Sequence, residues 1–104
     1  MHARIANYRL SGDPHALARK AEEGLLPISQ AQPGFVALNV VAGEGTLTSA
    51  SAWDSIEQAE AATPVVADWV AENIAGDIEL IDVRYGEILI ATALGVSALA
   101  ATKA

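Results

Sequence analysis

Four side chains in this 104-residue chain carry groups that could act on a small organic molecule. Asn7 stands in the middle of "ARIANYRL", where a carboxamide is disfavoured in a strand unless it finds a partner. A buried amide at such a place can hydrogen-bond a substrate oxygen and polarise it as charge develops. The plainer alternative is an asparagine bonded to backbone or water. Arg84 could stabilise an anion, or pair with Asp82 or an acid on a neighbouring strand, where a surface pair is worth little. Tyr85, like Tyr8, offers a phenol for proton transfer. Trp53 closes "TLTSASAW" just before an acidic helix, and it suits the core first and a pocket wall second. Asn7 and Arg84 are thus the candidate catalytic residues, and Trp53 and Tyr85 the candidate substrate-binding residues. Asn7 and Tyr8 are consecutive in a strand, so without a bulge they point to opposite faces.

Other chemistries lack their residues. The chain has no cysteine, which removes disulfides, thiolate nucleophiles and Cys-based metal sites. Its two histidines, His2 and His15, are far apart and lack ligand spacing. "AGEGT" is no phosphate loop, having neither the lysine nor the following helix. Glu57, Glu60, Asp68 and Glu72 read as the solvated face of a helix. With 13 acids against 6 scattered bases the formal net charge is −7, which argues against nucleic acid and against an anionic membrane surface as partners. The N-terminus shows no secretory pattern, and the charge-free run from Ile88 to Thr102 is shorter than the ~20 residues of a spanning helix. A cytoplasmic protein is the expectation, with no metal or other cofactor.

These side chains need elements to hold them. "ARIANYRL" reads as a strand, and Asp13 with Pro14 as the cap and first residue of a helix. Leu17, Ala21, Leu25 and Ile28 form its apolar stripe, with a kink or break expected near Gly24. "FVALNVV" and "TLTSASAW" are strands joined by "AGEG". Asp54 and Glu57 have capping-box spacing for a helix to about Ala62, and Thr63 with Pro64 restart helix, with Val66, Trp69, Val70 and Ile74 as its stripe. "IELIDVRYGEILIATA" is a long last strand, bulged at Gly86. On it, Leu80, Ile88 and Ile90 form one side, and Ile81, Val83 and Leu89 the other.

The order β–α–β–β–α–β gives an α+β fold of the ferredoxin-like type, a four-stranded antiparallel sheet with its helices on one face. The opposite face is left to pack on something, most simply a second copy through a two-fold interface. The domain is expected over residues 1–93, with 94–104 as a tail that is either disordered or an apolar arm across the dimer.

The sequence resembles the dimeric α/β-barrel superfamily, in particular the antibiotic-biosynthesis-monooxygenase-like domains. The likeness rests on "ARIANYRL", "LLPISQAQPGFVAL", "SAWDSIEQAEAA" and "DIELIDVRYGEI", and spans roughly residues 2 to 91. It implies a homodimer whose two sheets close into a barrel, with a pocket between sheet and helices in each protomer. Some members oxidise phenolic or quinol substrates with dioxygen and no metal or flavin; others degrade haem, isomerise or decarboxylate. The resemblance puts Asn7 where relatives carry a functional asparagine, and makes Arg84 a stabiliser of the phenolate that dioxygen attacks. Haem-degrading relatives carry a helix tryptophan and a histidine where this chain has Ala62 and Glu72, which argues against haem chemistry. The expected ligand is an apolar or aromatic small molecule; a non-catalytic binding or assembly module is the alternative.

Overall fold

The structure, a computed structural model, describes residues 1–101. Strands β1 (His2–Leu10), β2 (Phe35–Gly43), β3 (Thr46–Trp53) and β4 (Ile78–Glu87) make one antiparallel sheet in the order β2-β3-β1-β4. Helices α1 (Pro14–Lys20), α2 (Leu26–Gln30) and α3 (Ile56–Asn73) cover one face, and a short α4 (Ala98–Ala101) follows the last strand. This is the expected ferredoxin-like sandwich. Among the described residues no helix is long and apolar enough to cross a membrane.

Alternation along β1 decides what each residue meets. Arg4, Ala6, Tyr8 and Leu10 are buried, while Arg9 between them is exposed and Ile5 and Asn7 are partly so. Tyr8 and Leu10 pack with Leu17, Leu47, Ile74 and Ile78 in the main core, with Trp69, Val70 and Val83 at its edge. A second cluster, Trp53 with Ala59 and Ala62, seals the other end of the sheet beneath α3. Trp53 is 1% exposed, its ring edge-on to Phe35 at 5.4 Å.

The first helical segment begins as read, the Asp13 carboxylate accepting the His15 N–H at 3.1 Å with Pro14 next. The expected kink is a π-helical turn, Ala21–Leu25, between α1 and α2. Its cause is Gly24. A Cβ there would stand 2.7 Å from the Trp69 ring, so the turn widens and the indole lies against bare backbone.

Four local expectations are corrected. Ser55, not Asp54, caps α3: its hydroxyl accepts the Gln58 N–H at 3.2 Å and donates to Gln58 Oε1 at 3.1 Å, on the Ser-x-x-Gln spacing of a capping box. Helix α3 then runs unbroken through Pro64. The carbonyl deprived of a partner is that of Glu60 on the exposed side, and burial of Ala59, Ala62 and Val66 holds the helix on the sheet. The last strand stops at Glu87 rather than continuing to Ala93. Its bulge is at Ile81, not Gly86: Asn7 pairs with Asp82 but Tyr8 with Leu80, so β4 spends two residues where β1 spends one. The bulge reverses the alternation, and Leu80 shares the helix-side face with Val83 and Tyr85. Beyond Glu87 the chain turns through an Ala91–Val96 bridge into α4, with Leu89, Ile90 and Leu99 exposed; residues 102–104 of the tail lie outside the described residues.

Candidate functional site

The two faces of the sheet divide the sequence-derived candidates. Asn7 faces away from the helices. Its carboxamide donates to Asp82 Oδ1 at 2.8 Å and accepts from the Thr48 hydroxyl at 2.8 Å, tying three strands together on that face. Arg84, paired in register with Ile5, lies on the same face. Tyr85 and Trp53 lie on the other, under α3. The Thr63 hydroxyl donates to the Ala59 carbonyl at 3.0 Å, which leaves Tyr85 to donate its phenolic proton to Thr63 at 2.7 Å. Within one chain, therefore, Asn7 and Arg84 meet one environment and Trp53 and Tyr85 another. Tyr8 is buried on the helix side, opposite to Asn7, as strand geometry requires.

Between sheet and helices three hollows run together. The outermost, about 260 Å³, opens between α1 and the edge strand β2, at Ala18, Leu26, Leu38 and Val40. It shares Ala21 and Val40 with an apolar hollow of about 30 Å³ that reaches Tyr8, Leu25, Leu47 and Val66. That in turn shares Leu25, Ser49 and Val66 with an inner hollow of about 10 Å³. The inner one differs in character, being walled by Arg4, Ser29, Ser49 and Ser51 as well as by Trp53 and Ala62. The cleft thus passes from a mouth that carries Glu22 among apolar side chains, through an apolar middle, to a polar end, the usual build of a small-molecule site.

Arg4 is the residue that the candidate set missed. It is 5% exposed, its Nε is buried, and no hydrogen bond or ion pair of its guanidinium is found among the described residues. Arginine is almost never buried without a partner, because taking the charge out of water costs several kcal/mol. The acids available go elsewhere: Asp82 is bonded by Asn7, and Glu79 lies by the exposed Arg9 at 3.6 Å. Its surroundings are fixed by a short chain of bonds. The Trp53 indole donates to the Ser51 hydroxyl at 2.9 Å, and Ser51 donates to the Arg4 carbonyl at 3.4 Å. The hydroxyls of Ser29 and Ser49 have no partner among the described residues. His2, one alternation before Arg4, has a buried Nδ1 without a partner as well. The signal was in the sequence: Arg4 has the parity of Ala6, Tyr8 and Leu10.

Among the described residues no three His, Cys, Asp or Glu side chains are grouped closely enough to hold a metal ion. What the cleft can do is receive an apolar body and offer a cation and hydroxyls to one oxygen-bearing end.

No protein-family model and no curated protein matches the chain. Solved structures do. SnoaB, a cofactor-independent oxygenase from Streptomyces nogalater, superposes with a TM-score of 0.68 over 86% of this chain and 94% of its own, at 13% identity. The monooxygenase from the gene ActVA-Orf6 of Streptomyces coelicolor, solved with the ligand nanaomycin D, gives 0.61 over 86% and 92%, at 18% identity. MhuD, solved with two manganese protoporphyrin IX molecules per active site, gives 0.66 over 88% and 97%, at 16% identity. Together with the strand order and the position of the helices, these matches show that the chain has the ferredoxin-like fold of the antibiotic-biosynthesis-monooxygenase-like proteins.

Proposed function

We propose that this protein is a homodimeric, cofactor-independent oxygenase of phenolic or quinol-type aromatic molecules, held in the cleft between sheet and helices. The observation that carries the reading is the cleft itself, with Glu22 at its mouth beside Leu38 and Val40, an apolar middle at Tyr8 and Leu47, and a cation only at Arg4. Such a site holds an aromatic ring and favours its ionised oxygen. The electron-rich phenolate then reacts with dioxygen directly. One oxygen atom enters the ring, the other leaves as water, and the conversion of phenol to quinone supplies the electrons. Trp53 backs the inner end, and Tyr85 steadies α3 over it through Thr63. The fold shared with SnoaB supports the same kind of reaction.

The second copy covers the helix-free face, where Ala3, Ile5, Ala37, Val41, Ala50 and Ala52 surround the Asn7–Asp82–Thr48 cluster. Asn7 and Arg84 then act in the subunit interface, and their contribution to turnover comes through it. Haem is not the proposed ligand: Ala62 is buried under Trp53, and Glu72 is exposed.

Oxygen uptake tests the reaction. In buffer treated with chelator, a panel of phenols and quinols should include one that consumes dioxygen in step with quinone formation. Saturable binding without oxygen uptake across the panel would instead establish the alternative, a non-catalytic binding or assembly module. The small inner hollows and the carboxamide of Asn7, held at both ends by Asp82 and Thr48, favour that alternative.

A further inference from the structure

We infer that Arg4 is an oxyanion receptor, and that the ligand of the cleft is an aromatic molecule carrying a carboxylate or an ionised hydroxyl at one end. This rests on the placement of the ligand between sheet and helices, and not on any reaction with oxygen.

Three observations converge on it. Arg4 as a residue is nineteen-twentieths buried, its Nε wholly so, and its guanidinium has no partner among the described residues, in a chain with more than twice as many acids as bases. A cation kept that way in a folded protein is uncompensated until an anion arrives. The hollow at its side measures about 10 Å³, room for one water-sized group. A carboxylate or phenolate oxygen is of that size, and the unpartnered Ser29 and Ser49 hydroxyls can donate to it as the guanidinium does. The distance to the mouth fits as well. Leu38, which lines the outer hollow and reaches the inner one, pairs across the sheet with Ser51, and Ser51 with Arg4. Two strand spacings are roughly 10 Å, the length of a two-ring aromatic body. Shape and charge together select an apolar bicycle with an acidic head pointing inward.

The test is equilibrium binding to the full chain under anaerobic conditions, followed by tryptophan fluorescence and calorimetry. One pair of probes is 2-naphthoate and 2-naphthamide, which differ in charge and hardly in shape. The other is 4-nitrophenol below and above its own ionisation, read from its absorption. Charged hydrogen bonds of this kind are worth roughly tenfold or more in affinity. The wild type should favour naphthoate over naphthamide by that factor, or lower the ionisation midpoint of nitrophenol on binding; the arm that responds identifies the anion as carboxylate or phenolate. Arg4→Met should abolish the preference while still binding the neutral probe, and Arg4→Lys should restore part of it. Equal affinity for charged and neutral probes in both arms, or a preference that persists in Arg4→Met, would overturn the assignment. Because no oxygen is present, an anion preference can stand even where the oxygenase reading fails.

Discussion

Replacing Arg4 by methionine should make the protein more stable, against the usual direction of a core substitution. Arg4 is 5% exposed with a buried Nε and no partner among the described residues. Methionine keeps most of the aliphatic stem that packs near Trp53 and Ala62, and it discards the charge. Exchanging buried ionic groups for apolar ones of similar volume commonly gains 1–4 kcal/mol, and here no pairing energy is lost. Part of the penalty is relieved because only Nε of the guanidinium is wholly buried, so a gain of about 1–3 kcal/mol is expected. For a chain of this length each kcal/mol moves the midpoint by about 4–8 °C. Thermal unfolding followed by circular dichroism, at one fixed protein concentration because association shifts the midpoint, provides the assay. Arg4→Lys, which keeps the charge, should show no gain. A loss of more than about 1 kcal/mol in Arg4→Met would mean that the guanidinium is compensated in the folded state, and the reasoning from an unpaired cation would fail.

Two further outcomes follow from local geometry. Gly24→Ala should destabilise the fold by about 1–2 kcal/mol, since a clash with the Trp69 ring at 2.7 Å outweighs the roughly 1 kcal/mol of helix propensity gained; denaturant unfolding and a shifted tryptophan emission would report it. Ser55→Ala should cost about 1 kcal/mol through loss of the α3 cap, whereas Asp54→Ala should stay within about 0.5 kcal/mol, measured side by side in urea.

Most of the fold was legible because its signals are local. "TLTSASAW" coincides with β3, and Asp13–Pro14 opens α1 as read. The faces of β1 were legible too, through the parity of Ala6, Tyr8 and Leu10, yet parity was not carried back to position 4. Residue type alone does not mark an arginine as buried, and only the sheet's closure under α3 shows that Arg4 is 5% exposed. Asn7 had the opposite history. Its type invited a ligand, and its neighbours in register, Asp82 and Thr48, supply the partners instead. Those neighbours depend on pairing across more than 40 residues of chain, which no short motif encodes. At α3 the competition was between adjacent caps. Asp54–Glu57 and Ser55–Gln58 have the same spacing, and Ser55 wins with the residue pair best suited to the box. The bulge at Ile81 had no glycine to announce it, because it arises from the register between β1 and β4 rather than from a backbone need at one residue.

The central claim is that ligands enter between sheet and helices, with the head at Arg4. Backbone amide shifts of the isotope-labelled full chain titrated with 2-naphthoate test it most directly. The account predicts that the largest changes cluster at Arg4, Leu25, Leu38, Ser49 and Val66. Changes centred on Asn7, Asp82 and Arg84, with those cleft residues unmoved, would contradict it.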